Sequence, residues 1–293
     1  MKKVLPLLLA LMLLPFAALA EETAPIMEVH QFNLGYADGY FIRCGDTEIM
    51  IDGGNPNPKA PTDDVVNTLR ALGLKELDVY IATHWHLDHC MNMNNILAEF
   101  GTDATVTYGA SAEPVDVIEN EGRKYDLGPL AAGTYQQMKV DDVIQMGPLT
   151  FTCIGPDEMA QNGRCNSDSL NFVIQYGTRR MLFTGDYAQS GEINKRHPEL
   201  CKDVDVLKFP HHGGKPYEIG NIACRNVSPE YVLVPSQLNN YQIYQFIRNN
   251  GVPVERDKVL TNRAGHVVLV TDGGEYLTAF TDQNPADWAP KAE

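Results

Sequence analysis

Apolar residues along this chain alternate with polar ones in short runs, broken at close intervals by Gly, Pro, Asn and Asp. The segments Glu28 to Leu34, Gly39 to Cys44 and Thr47 to Ile51 read as three short strands, and Asp52-Gly53-Gly54-Asn55-Pro56 ends the third. From Pro61 to Leu72 the period changes: apolar residues fall at 65, 66, 69 and 72 behind a proline, predicting a helix closed by Gly73. Residues 77–83 predict a buried strand, and Asn92 to Phe100 the helix that follows it. Between 104 and 155 the pattern reads as short strands and loops, with a hairpin around Gly147-Pro148. Leu170 to Tyr176 and Met181 to Thr184 predict a strand pair meeting at Gly177-Thr178. Val204 to Phe209, Tyr231 to Val234 and Val267 to Val270 predict later strands, with a helix near Tyr241 to Asn249. Strands, a helix, more strands and a second helix predict two packed sheets flanked by helices.

The first 20 residues stand apart from this pattern. Met1-Lys2-Lys3 is a basic start, Val4 to Phe16 an apolar stretch, and Ala18-Leu19-Ala20 a small-x-small cleavage site. The apolar stretch is short for a membrane span. The expectation is a signal peptide over 1–20, a mature domain over 21–293, and a secreted or periplasmic protein with no stable membrane insertion after cleavage. Removing residues 1–20 takes away two lysines and leaves 21 basic against 38 acidic side chains, a net charge of −17. Such a surface repels polyanions, which argues against long nucleic acid as a partner. About 273 residues without linker or repeat predict one domain. Oligomeric state is not legible.

Six cysteines remain: Cys44, Cys90, Cys153, Cys165, Cys201 and Cys224. An exported chain permits up to three disulfides among them, in fifteen full pairings, and their spacing includes no CxxC.

Three segments carry chemistry. Thr83-His84-Trp85-His86-Leu87-Asp88-His89 places three imidazoles and a carboxylate directly after a buried strand. A strand feeding a loop lets His84 and His86 point one way, while Asp88 and His89 face another. Imidazole and carboxylate suit zinc, iron or manganese, and this spacing serves two adjacent ions. Leu182-Phe183-Thr184-Gly185-Asp186 ends a second strand in a carboxylate, and Phe209-Pro210-His211-His212-Gly213-Gly214 ends a third in two histidines. Each of the latter two occurs as an ordinary loop elsewhere; three strand ends in this order point to one site. The GxSxG, serine–lysine and P-loop motifs do not occur to compete for the catalyst's role.

On these residues the chain resembles the metallo-β-lactamase-fold superfamily, over nearly the whole mature length. It is most similar to the hydrolase domain of ComEC-type competence proteins and their secreted stand-alone relatives. Phe32 to Gly39 resembles that group's opening NVGxxDA segment, Met50-Ile51-Asp52-Gly53-Gly54 its LIDGG strand end, and Asn166-Ser167-Asp168-Ser169 its NxxS segment. The resemblance implies an α+β, four-layer αβ/βα sandwich. It implies two divalent ions, zinc first, with manganese or iron as alternatives. His84 and His86 would hold one ion, Asp88 and His89 the other, and Asp186 would bridge. One of His211 and His212 would complete the second site and its neighbour would face substrate, the choice staying open. Asp38 and Asp52 would orient ligand imidazoles, as metal-bound histidines require.

No histidine lies between His89 and His197, where many superfamily members supply a further ligand. Asn166, Asp168 or water would fill that position. The ComEC-like group shares the gap, which argues against a true β-lactamase. The expected activity is hydrolysis of a small or envelope-linked phosphoester or phosphodiester by a metal-bound hydroxide, with Asp88, His211 and His212 as catalytic groups. Alternatives are a lactone, lactam or thioester hydrolase, or a non-catalytic envelope-binding module stabilised by metal. His30 and His197 read as structural, and His266 is open to a substrate-side role. Tyr108, Tyr125 and Tyr135 would serve as core packing or as an aromatic wall for a cation.

Overall fold

The computed structural model describes residues 24–54, 64–120, 122–156, 163–187, 197–213, 227–249 and 251–282. The signal segment 1–20, Pro61, Gly214 and Cys224 lie outside the described residues.

Two large sheets form the body. Across the eight-stranded sheet the order is Leu277–Asp282, His266–Thr271, Met27–Gln31, Tyr40–Cys44, Thr47–Ile51, Val79–Ala82, Val106–Gly109 and Thr134–Gln137. Across the seven-stranded sheet it is Val259–Thr261, Tyr231–Val234, Val206–Lys208, Arg179–Phe183, Asn171–Tyr176, Leu149–Gly155 and Val143–Met146. A separate hairpin pairs Val117–Asn120 with Arg123–Asp126.

Alternation along each strand divides the apolar residues among three cores. Tyr40, Ile42, Ile49, Ile51 and Ile81 from the first sheet meet Phe151, Phe172, Ile174, Phe183 and Leu233 from the second. The intervening Phe41, Met50 and Tyr80 pack outward against Leu69, Ile96 and Leu97 of the helices Val65–Ala71 and Met93–Phe100. Val173, Leu182, Leu207 and Val232 pack outward on the other side against Ile243 and Ile247 of the helix Asn240–Asn249. Helix, sheet, sheet and helix make the four layers of the α+β sandwich expected from the resemblance.

The structure corrects several boundaries. The first helix starts at Val65, where the Asp64 carboxylate accepts the Asn67 N–H at 3.1 Å as N-cap. The loop expected after His86 is a short helix, Leu87–Cys90, with Asp88 in its first turn. Val259–Thr261, Leu277–Asp282 and the helix Pro198–Cys201 were not predicted. Cys44, Cys90 and Cys153 are buried unbridged thiols and Cys165 an exposed one, so no disulfide joins these four.

The segments Thr47–Ile51, Val79–Ala82 and Val106–Gly109 run parallel, as do Arg179–Phe183, Val206–Lys208 and Tyr231–Val234. Asp52, Thr83 and His84 follow strand ends of the first sheet; Asp186 and His211 follow those of the second. Carboxyl ends of parallel strands in both sheets therefore open at one edge.

Candidate metal centre

Thr83 anchors the first loop. Its N–H and hydroxyl donate to the two Asp52 oxygens at 2.8 and 2.7 Å. Asp52, at φ 55, also holds Oδ2 2.8 Å from His89 Nδ1. His89 thereby turns Nε2 toward Asp186 Oδ2, 3.2 Å away. The second sheet delivers Asp186 through Gly185, at φ 48, where an added Cβ would meet Ser169 Cβ at 2.8 Å. Ser169 Oγ in turn accepts the Asp186 N–H at 3.1 Å.

The tandem histidines divide by backbone conformation. His211 and His212 both have positive φ, at 51 and 54. Two successive left-handed residues send the rings in different directions, a strained arrangement typical of functional loops. The His212 side chain is 7% exposed and places Nε2 3.3 Å from Asp186 Oδ2 and 3.1 Å from Asp88 Oδ2. Its Nδ1 lies 3.1 Å from Asp38 Oδ1. The His211 side chain is 25% exposed, with Nε2 3.8 Å from Asp186 Oδ2 and 3.2 Å from Asn166 Nδ2.

One donor atom each of Asp38, His89, Asp186 and His212 lies within 4.8 Å of the others, and Asp88 Oδ2 approaches the same cluster at His212 Nε2. Four ligands of a tetrahedral zinc, each 2.0–2.1 Å from the ion, lie about 3.3 Å apart. The distances here are 3.1, 3.2 and 3.3 Å, with His89 Nε2 to Asp88 Oδ2 longer at 4.0 Å. His89 Nε2, Asp186 Oδ1, Asp38 Oδ1 and His212 Nδ1 are buried without a hydrogen-bond partner, a rare state unless another group completes them. The donor set fits a divalent ion. Beside it, His84 Nε2 lies 3.0 Å from His86 Nδ1, and the His84 ring centroid 4.1 Å from that of His89.

Charge follows the same geometry. Burial holds His84 well below the ordinary imidazole range. Burial acts the same way on His89 and His212, but Asp186, with Asp52 and Asp88 near His89 and Asp38 near His212, outweighs it and raises both rings. Against burial, His212 and His89 keep Asp186 well below the carboxylate range. Carboxylates converging on these rings demand positive charge, which a divalent cation would also supply.

Asn166 sits at the cluster's open side, its Oδ1 lacking a hydrogen-bond partner. Asp168 instead accepts the Cys165 N–H at 3.1 Å within its own turn. Cys90 Sγ contacts the His86 carbonyl at 3.0 Å. Of the remaining histidines, His197 meets Asp141 at 2.7 Å, and His30 Nδ1 lies 3.0 Å from His266 Nε2 within a buried pair. Tyr108, Tyr125 and Tyr135 pack against the cores. A cavity of about 290 Å³ opens beside His86, Leu87 and Asp88, walled by Ile118 and Asn120 of the hairpin.

Sequence reasoning missed Lys208. Its buried ammonium donates to the Gly185 carbonyl at 2.6 Å, pairs closely with Asp38, and lies 3.7 Å from Asp186 Oδ1. The signal was available: Val206 faces the inner core, Leu207 and Phe209 the outer one, so residue 208 points inward.

An αβ/βα sandwich with histidines and carboxylates gathered at its sheet edges defines a class. The sequence profile of the metallo-beta-lactamase superfamily matches residues 33–232, and the chain belongs to that superfamily. It is 25% identical over 251 residues to ComE operon protein 3 of Bacillus subtilis, covering 78% of this chain and 31% of that protein. The match thus spans about a third of that relative's length. It is 23% identical over 212 residues to the UPF0173 metal-dependent hydrolase Ta0764 of Thermoplasma acidophilum, covering 72% and 84% of the two. Among solved structures, the fold is similar to the metallo-beta-lactamase fold protein YhfI from Bacillus subtilis, with TM-score 0.54, 14% identity and 87% and 100% coverage. Igni18, a metallo hydrolase from Ignicoccus hospitalis, matches with TM-score 0.54, 14% identity and 88% and 100% coverage.

Proposed function

We propose that the protein is an exported metal-dependent hydrolase of a phosphoester or phosphodiester. The supporting observation is the adjacency of two donor sets: His212 with Asp88 and Asp186, His89 lying 3.2 Å from Asp186, and His84 with His86 beside them. In this assignment His84 and His86 would hold one divalent ion, Asp88, His89 and His212 would hold the other, and Asp186 would serve both. Zinc suits these donors first, with manganese or iron as alternatives. When bound, paired ions polarise a phosphoryl oxygen and bring the pKa of a water toward neutrality.

The chain's own groups supply the rest. Asp88, 36% exposed at its side chain, would orient the attacking water. His211 stands at the open side, where it protonates the leaving oxygen or steadies its developing charge. Asn166 fixes the His211 ring through its amide nitrogen, 3.2 Å from Nε2. The cavity beside His86 takes the remainder of a small or envelope-linked substrate, with Ile118 as its apolar wall. The net charge of −17 left once residues 1–20 are removed opposes long nucleic acid as substrate.

Residues 1–20 act in this reading as a cleaved signal for export, which N-terminal sequencing of the extracytoplasmic protein would check. No helix among the described residues is long and apolar enough to cross a membrane. The activity test is hydrolysis of bis-p-nitrophenyl phosphate by protein loaded with zinc or manganese. Chelation, His86→Ala and Asp186→Ala should each abolish turnover; activity surviving them would sink the mechanism. Turnover of nitrocefin or an acyl-homoserine lactone in its place would move the reading to a lactam or lactone.

A further inference from the structure

A lysine at an inward position of a buried strand needs a reason, because an ammonium is rarely buried unless paired. The Lys208 side chain is 1% exposed and sits between the two sheets. It donates to Gly185 O at 2.6 Å, in the turn that presents Asp186. Its closest partner is Asp38, whose Oδ1 faces His212 Nδ1 at 3.1 Å.

That arrangement gives an ion two competing donor sets that share His89, Asp186 and His212. Asp38, His89, Asp186 and His212 each offer a donor atom, and these four atoms lie within 4.8 Å of one another. Asp88, His89, Asp186 and the Nε2 atom of His212 form the other set. A carboxylate at position 38 without its own cation would be a strong, negatively charged ligand. Paired with a buried ammonium, it is a fixed acceptor for an N–H.

We propose that Lys208 is a positioning residue that keeps Asp38 out of the metal's coordination shell. Asp38, with Oδ1 3.1 Å from His212 Nδ1, then faces that nitrogen as its charge partner and leaves Nε2 as the ligand atom. The inference rests on the metal-hydrolase reading above, but its decisive readout is coordination and not turnover. Lys208→Met keeps most of the stem and removes the charge. Lys208→Gln keeps a donor toward Gly185 O and replaces the Met variant if that one does not fold.

The experiment loads wild type, Lys208→Met and the double variant Lys208→Met/Asp38→Asn with Co²⁺. Visible absorption then reports coordination number, since the band weakens as ligands are added. The single variant should bind cobalt with wild-type stoichiometry, show a weaker and shifted band, and hydrolyse the phosphodiester at least tenfold more slowly. The double variant should restore the wild-type band, because the amide oxygen introduced by Asp38→Asn accepts from Nδ1 and carries no charge to draw the ion. A band unchanged in the single variant, or not restored in the double, overturns the proposal. A wild type with a normal cobalt band and no esterase activity would refute the substrate reading alone, while one taking up no cobalt would refute both.

Discussion

Asp52 decides which nitrogen of His89 faces the ligand cluster, and Asp52→Asn isolates that decision. Asn has nearly the shape of Asp and is among the few side chains that tolerate the left-handed backbone at this position, φ 55. The Thr83 N–H, 2.8 Å from Asp52 Oδ1, holds an acceptor there, so the amide oxygen takes that place. The amide nitrogen must then occupy the Oδ2 position, 2.8 Å from His89 Nδ1, and it donates where the carboxylate accepted. A donor at Nδ1 moves the ring proton to Nε2, the atom that faces Asp186 at 3.2 Å and must offer a lone pair to bind metal. The lost charge-assisted hydrogen bond amounts to roughly 1.5–3 kcal/mol. That corresponds to metal binding weaker by about 10–100-fold, as for other outer groups that orient ligand histidines. Chelator competition with zinc measures it, alongside thermal melting of the metal-free protein to confirm folding. Binding within twofold of wild type would refute the tautomer argument.

The two tandem histidines should separate cleanly. His212→Ala should lower metal affinity in chelator competition. His211→Ala should keep the metal and lose about 10²–10⁴ in kcat, and the reverse pattern would exchange their roles. Burial lowers His30 to about 4, so the folded ring is neutral, while the unfolded chain binds its proton below about 6.5. The unfolded state therefore holds the extra proton between those values, and stability should fall by about 3 kcal/mol as pH drops through that window. Urea melts at pH 7 and 4.5 should show that loss in wild type and much less of it in His30→Gln; an equal loss in both would place the titration elsewhere. Gly185→Ala combines a left-handed backbone with a clash at Ser169, costing about 2–4 kcal/mol in chemical denaturation and lowering bound metal. Wild-type stability in that variant would mean the turn relaxes freely.

Strands buried on both faces were the most legible elements, because their apolar runs are continuous. Tyr231–Val234 appears with the limits its sequence predicts. Leu277–Asp282 escaped notice because a strand at the end of its sheet carries three threonine or aspartate residues among its six. Val259–Thr261 is too short for periodicity to register. The candidate ligands were legible because each follows directly on an apolar run, so position and chemistry coincide. Lys208 was not, since lysine is read as exposed by habit, and its inward position appears only when its neighbours are sorted by face. The division between His211 and His212 was not legible either. It depends on two consecutive left-handed residues, a backbone state that these side chains do not announce.

The hairpin of Val117–Asn120 and Arg123–Asp126 pairs only with itself, yet Ile118 and Asn120 form the wall opposite His86 and Asp88. On the proposed reading, reaction and selection are therefore built from separable parts. A change at Asn120 reshapes that wall without disturbing a hydrogen bond of either large sheet. Such an arrangement lets one hydrolytic centre be refitted to new substrates by exchanging about ten residues on its rim, while the ligand-bearing strand ends stay as they are.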